Sequence, residues 1–228
     1  MEAISIHSFF HLVFVAFIAL FPPINPIGTA FIVGPFFRGH SKSVRSKSAL
    51  TIAMYCLSLC LVVSLIGVFI FKLFGLSVPV VQMAGGFLIA RMGMQILSKD
   101  DDNYDQEKVV EEGSVQASTL KSHLFYPLAF PTTTGGGTMA VLLTLSANSF
   151  DEDRQIYLFN LSATVAALLL MCGLIYICYY SAPAILERLD AQAVQVCNKL
   201  SGFLTLAVGL QIIVNGVLKL IETVFPAH

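Results

Sequence analysis

Six stretches of the chain are apolar for about 20 residues or more, the length a helix needs to cross the hydrocarbon core of a bilayer. They run from Ser8 to Phe36, Ala49 to Phe71, Val78 to Leu97, His123 to Ala147, Tyr157 to Ile185 and Leu200 to Leu218. Hydrophobic residues fill 56% of the 228 positions and charged residues only 12%, against about 25% charge in a soluble domain. Too little polar surface remains to coat a water-soluble globule, and the mean hydropathy of +0.80 agrees. In lipid, backbone N–H and C=O groups must find partners inside the protein, so runs of this length are expected as helices. The predicted class is an all-α polytopic membrane protein with the lipid bilayer as its solvent.

Lysine and arginine orient such a chain. Arg38, Lys42, Arg45 and Lys47 precede the second run, Lys99, Lys108 and Lys121 lie between the third and fourth, and Arg188 and Lys199 between the fifth and sixth. The opposite side has Lys72, Arg154 and Lys219. The first set is expected on the cytoplasmic side, with both termini outside. The opening Met1-Glu2-Ala3 is acidic rather than basic, so the first run is expected as a retained helix and not a cleaved signal. Net charge is −1 and no basic stripe interleaves with aromatics, so no nucleic-acid partner is expected. The five cysteines, Cys56, Cys60, Cys172, Cys178 and Cys197, form no CxxC pair. They read as buried thiols, and no metal site is expected. Between Ser98 and Ser122 the chain is acidic, with Asp100, Asp101, Asp102, Asp105, Glu107, Glu111 and Glu112, and reads as a solvated loop.

An internal repeat fixes the architecture further. Phe21-Pro22-Pro23-Ile24-Asn25-Pro26-Ile27-Gly28-Thr29 aligns with Phe130-Pro131-Thr132-Thr133-Thr134-Gly135-Gly136-Gly137-Thr138, with four of nine pairs identical. Gly86-Phe87-Leu88 matches Gly202-Phe203-Leu204, and Gly93, Gln95 and Ile96 match Gly209, Gln211 and Ile212. Three helices per half is an odd number, so the second half must be inverted relative to the first. The expected organisation is one membrane domain over 1–228, with a first repeat at 1–98, an acidic cytoplasmic loop at 99–122 and a second repeat at 123–228. Inverted repeats are a common plan of secondary transporters.

The candidate site lies where the repeats carry helix breakers. Pro22, Pro23 and Pro26 fall inside the first run and each removes a backbone donor. Asn25-Pro26 is a restart signal, with asparagine as N-cap and proline at the first helical position. Pro131 is expected to break helix 4, with Thr134 as cap and Gly135, Gly136 and Gly137 as the start of a new half-helix. Two half-helix N-termini would then meet near the midplane, each with free N–H groups and partial positive charge. That suits a carboxylate or other small anion. The predicted substrate-binding residues are Asn25, Pro26, Gly28, Thr29, Thr134, Gly135, Gly136, Gly137 and Thr138. The competing reading of two prolines and a glycine run is kinks that only shape packing. Gly86 with Gly93, and Gly202 with Gly209, recur every seven residues and read as close helix packing. Such small-residue faces also allow a homodimer without requiring one. Gln95, Gln211 and Arg91 are candidate supports for the site. An intramembrane charge is a functional candidate, although Arg91 lies close enough to a helix end to snorkel.

No Asp or Glu lies in any of the six runs. Proton coupling through a buried carboxylate is therefore unavailable, and intramembrane hydrolysis by an Asp pair or by HExxH has no residues. No catalytic residues and no cofactor are expected. A coupling Na+ could still bind freed carbonyls with the hydroxyls of Thr29, Thr134 or Thr138, and simple facilitated exchange is equally open.

Asn25-Pro26-Ile27-Gly28, Ala84-Gly85-Gly86 and Phe130-Pro131 with Gly135-Gly136-Gly137 resemble the signatures of the MarC family, also called the six-helix neutral amino acid transporter family. The likeness covers nearly the whole chain in order and spacing. Where the family's fourth helix more often reads Gly-Pro-Gly, Gly136 stands in place of the proline. The resemblance implies a bacterial inner-membrane protein that transports small neutral amino acids such as alanine, glycine or serine, and the inverted repeats would let one site face either side by alternating access. The rivals are a non-transporting membrane partner or stress-response protein, and a carrier of another small anionic or zwitterionic solute.

Overall fold

The computed structural model describes residues 6–37, 39–75, 77–98, 117–149, 153–184 and 191–224. The described residues are helical, without strands. In chain order they form α1 (Ile6–Ile24), α2 (Pro26–Phe37), α3 (Lys42–Leu73), α4 (Val78–Ser98), α5 (Ala117–His123), a broken stretch (Leu124–Thr133), α6 (Gly136–Ser149), α7 (Arg154–Tyr180) and α8 (Ala191–Val224). Five of these helices are long and apolar enough to cross a bilayer. The acidic residues of the 99–122 loop fall outside the described residues, and α5 already begins at Ala117.

The first apolar run is split as the prolines demand, but later than Pro22. α1 continues through Pro22 and Pro23 to Ile24, because a proline near a helix end forfeits bonds without having to bend many turns. The break is at Asn25, whose φ of 45° is left-handed, a conformation asparagine tolerates better than other residues with a Cβ. The fourth run is disrupted earlier than Pro131 alone would do. Tyr126 and Phe130 are extended, each before a cis proline, Pro127 and Pro131. The helices after the breaks are short. α2 has 12 residues and α6 has 14, or about 18 and 21 Å at 1.5 Å per residue. Neither crosses a core of about 30 Å.

Helix ends elsewhere follow local rules. Asp153 caps α7 by accepting from the Gln155 N–H at 2.8 Å, and Gly75, at φ 65°, turns the chain between α3 and α4. The core gathers Leu20, Ile24, Val33, Phe37, Ile52, Leu128, Leu168, Met171, Ile175 and Tyr179. Large apolar side chains such as Phe10, Phe14, Leu65, Phe69, Phe203 and Leu210 face outward, as lipid requires.

α4 and α8 form the most extensive helix pair, and glycine is the reason. A Cβ on Gly86 would lie 2.7 Å from the Gly209 carbonyl oxygen, and one on Gly93 would lie 2.7 Å from that of Gly202. Gly209 in turn abuts the Ala90 backbone, and Gly93 the Leu206 backbone. Exchanging each residue for its repeat mate, 116 positions away, turns each of these contacts into another of the set. The helices run antiparallel, so the halves are inverted. Without a hydrophobic drive in lipid, such backbone approach holds the pair by dispersion. Lys199 adds a bond from its ammonium to the Leu97 carbonyl, 2.9 Å away, at the end of α4.

Candidate functional site

At the first break Asn25 does what its position predicts. Its Oδ1 accepts from the Gly28 N–H at 3.1 Å and so caps α2. The same oxygen accepts from the Ser201 hydroxyl at 3.2 Å, and its Nδ2 donates to Asn198 Oδ1 at 3.1 Å. Both partners belong to α8, so the first break is tied to the last helix. Thr29 donates to the Asn25 carbonyl at 2.9 Å. Gly28 is packed between the Asn25 and Asn198 side chains, where no Cβ fits. Pro26 is the first residue of α2 and is buried.

The second break is built differently. Thr134 is not the cap expected of it. Its hydroxyl turns back to donate to the Ala129 carbonyl at 2.7 Å, and its N–H goes to the same oxygen at 3.0 Å. Its oxygen takes no N–H from the first turn of α6 among the described residues. The physical cause is the preceding turn: the break leaves the Ala129 carbonyl without a helical partner, and Thr134 is the nearest group able to fill it. Gly135 approaches the Pro131 carbonyl, 2.8 Å from where a Cβ would sit, and Gly136 has open space there for at least 4 Å. Gly137 is buried against Met92 and lies 3.6 Å, by the same measure, from Pro23 of the first break. Thr138 is fully buried, and its hydroxyl has no hydrogen-bond partner among the described residues.

Tyr179 is bonded to the second break. Its hydroxyl lies 2.6 Å from that of Thr133, which itself donates to the Leu128 carbonyl at 2.7 Å. Thr29 of the first break lies near the same phenol, but its hydroxyl donates to the Asn25 carbonyl. α7 therefore ties the second break to a single buried tyrosine. The three remaining candidates stand elsewhere. Arg91, Gln95 and Gln211 are exposed on the outer faces of α4 and α8, and Gln211 donates to Asn215 at 3.0 Å. A shallow cleft lined by Pro79, Asn148, Lys219 and Glu222 lies at the far end of α6 from its break.

Paired breaks, an Asn-Pro-Ile-Gly restart and antiparallel glycine-packed helices extend across the same span that one family covers: the chain matches MarC family integral membrane proteins over residues 10–221. The chain belongs to the MarC family. It is 24% identical over 207 residues to the inner membrane protein MarC of Escherichia coli, covering 90% of this chain and 94% of the relative. The MarC proteins of Salmonella arizonae and Salmonella typhimurium are also 24% identical, over 208 and 207 residues, with the same coverage. No solved structure matches the chain. Family and apolar helices together make it a multi-pass inner membrane protein.

Tyr179, Thr133, Asn198 and Ser201 escaped the sequence reading. Asn198 and Ser201 had a usable signal. The 116-residue offset sets them on Gln82 and Gly85, beside the glycine stripe, where a polar residue must face a partner. Tyr179 had none, since a tyrosine close to the end of an apolar run reads equally well as an interfacial anchor.

Proposed function

We propose that this MarC family protein is a secondary transporter of small neutral amino acids, of the alanine, glycine and serine class, and not an enzyme. The observation that carries the reading is the meeting of two broken helices, where Gly137 at the start of α6 packs beside Pro23 at the end of α1 and the half-length α2 and α6 begin at the breaks. Backbone that is irregular at this depth is tolerated where it lines a site, and discontinuous helices of inverted repeats are where transporters bind their substrates. A zwitterion matches the available groups: helix N–H groups and hydroxyls for its carboxylate, freed carbonyls and amide oxygens for its ammonium. The tight surroundings of Gly28 and Gly137 favour a side chain no larger than that of alanine or serine. Alternating access would come from rocking of the halves about the α4–α8 seam. Carbonyls and hydroxyls at the breaks could hold a coupling Na+, and facilitated exchange without an ion is the alternative.

The test is uptake and counterflow of labelled alanine in proteoliposomes of the purified protein, with and without a sodium gradient. Saturable flux that Asn25→Ala abolishes supports the reading, and sodium dependence supports the coupling. Folded protein that carries no alanine under either gradient sinks it, and leaves another small solute or a non-transporting role.

A further inference from the structure

The two half-helices are repeat mates, yet their N-termini are chemically unlike. The α2 terminus is closed by its own chain: Asn25 Oδ1 holds the Gly28 N–H and the Ser201 hydroxyl. The α6 terminus has no such cap, because Thr134 has turned its hydroxyl to Ala129. A second observation marks α6 independently. Seven threonines are buried among the described residues: Thr29, Thr133, Thr134, Thr138, Thr144, Thr164 and Thr205. Six of them donate to a backbone carbonyl. Thr138, in the first turn of α6, is the exception. Its repeat mate Thr29 donates to the carbonyl four residues back. For Thr138 that carbonyl belongs to Thr134, whose φ of −111° and ψ of 70° are not helical, so the acceptor is swung away. A buried hydroxyl without a partner is uncommon, and here it adjoins the first N–H groups of a 14-residue helix, which lack intrahelical acceptors.

We propose that the α6 N-terminus is the carboxylate end of the site, with the Thr138 hydroxyl donating to the substrate carboxylate beside the Gly136 and Gly137 N–H groups. The helix dipole favours an anion there. The Asn25, Asn198 and Ser201 cluster at the other break serves the opposite end of the zwitterion. This assignment rests on the amino acid reading above and adds which half-helix takes which charge.

Equilibrium binding to the full-length protein in nanodiscs tests it, with labelled alanine as one probe and propionate, a carboxylate without the amine, as a competitor. Thr138→Val removes the hydroxyl at nearly constant volume and Thr138→Ser keeps it. Thermal unfolding confirms that both variants are folded. The expected result is a loss of about 10- to 100-fold in Thr138→Val for alanine and propionate alike, the worth of one hydrogen bond to a charged group, with Thr138→Ser close to the parent. Unchanged alanine binding in Thr138→Val overturns the assignment and leaves the amino acid reading standing. A loss for alanine without one for propionate overturns it too, since the hydroxyl would then serve another part of the ligand. If the parent binds propionate through Thr138 but no amino acid, the carboxylate end stands and the amino acid reading falls. If it binds neither, both fall.

Discussion

Replacing Asn25 by alanine and by glycine separates what its side chain does from what its backbone requires. Alanine loses the cap on Gly28, worth about 1 kcal/mol. It loses the bonds to Ser201 and Asn198, worth about 1 kcal/mol each. It also forces a Cβ without a polar tip into the left-handed conformation at φ 45°, which costs a further 1–2 kcal/mol or about that. The total for Asn25→Ala is about 4–5 kcal/mol. Asn25→Gly loses the same two bonds to α8, but glycine at an N-cap costs only about a few tenths and the backbone strain vanishes. Its greater freedom in the unfolded chain returns about 0.5–1 kcal/mol of the advantage. Glycine should therefore be the more stable variant by about 1–2 kcal/mol. Thermal unfolding in micelles can be followed by a thiol-reactive dye, because Cys56 and Cys60 are buried and free until the helices separate. Equal midpoints for the alanine and glycine variants would refute the left-handed assignment at Asn25.

Gly93→Ala should destabilise by about 1–3 kcal/mol, since its Cβ meets the backbone of Leu206 and Gly202. Gly173→Ala, which meets nothing within 4 Å, should stabilise α7 by about 0.5–1 kcal/mol; the two unfolding midpoints must move in opposite directions. Tyr179→Phe should cost only about 1 kcal/mol, because Thr133 keeps the Leu128 carbonyl; a loss several times larger in the same unfolding assay would mean the phenol does more than bond Thr133. Arg91→Leu should leave the unfolding midpoint unchanged or raise it, since Arg91 is exposed on α4 and bonds to nothing among the described residues; a lowered midpoint would reveal a partner.

Much of the fold was legible because lipid leaves few options. Apolar run length sets the helices, and the repeat sets their inversion. The seven-residue glycine spacing read as packing, and Gly86 against Gly209 bears that out. Asn25 was legible as a cap because Asn-Pro is a strong local signal whose physics lies within four residues. Thr134 was not, because its role depends on the Ala129 carbonyl, which the break at Phe130 releases. Nor did local pattern show that Pro22 and Pro23 are tolerated within α1. Tyr179 acts through Thr133, 46 residues away, a distance across which no periodicity carries information.

The departures from symmetry deserve as much weight as the symmetry. Where the repeats pack backbone on backbone, at α4 and α8, mates are identical glycines and their contacts interchange. At the breaks Gly28 and Thr29 keep identical mates in Gly137 and Thr138, but the capping and bridging mates differ. Asn25 stands opposite Thr134, and one caps while the other does not. Asn198 reaches the first break, whereas its mate Gln82 bonds Asn148 at the end of α6. A rocking scaffold benefits from equal halves, because its two end states then differ little in packing energy. A ligand with an anionic and a cationic end gains nothing from equal halves, since two like sites would offer both ends the same potential. Under the proposed function, a glycine seam that obeys the two-fold and a polar centre that breaks it are both required of one chain that moves a zwitterion.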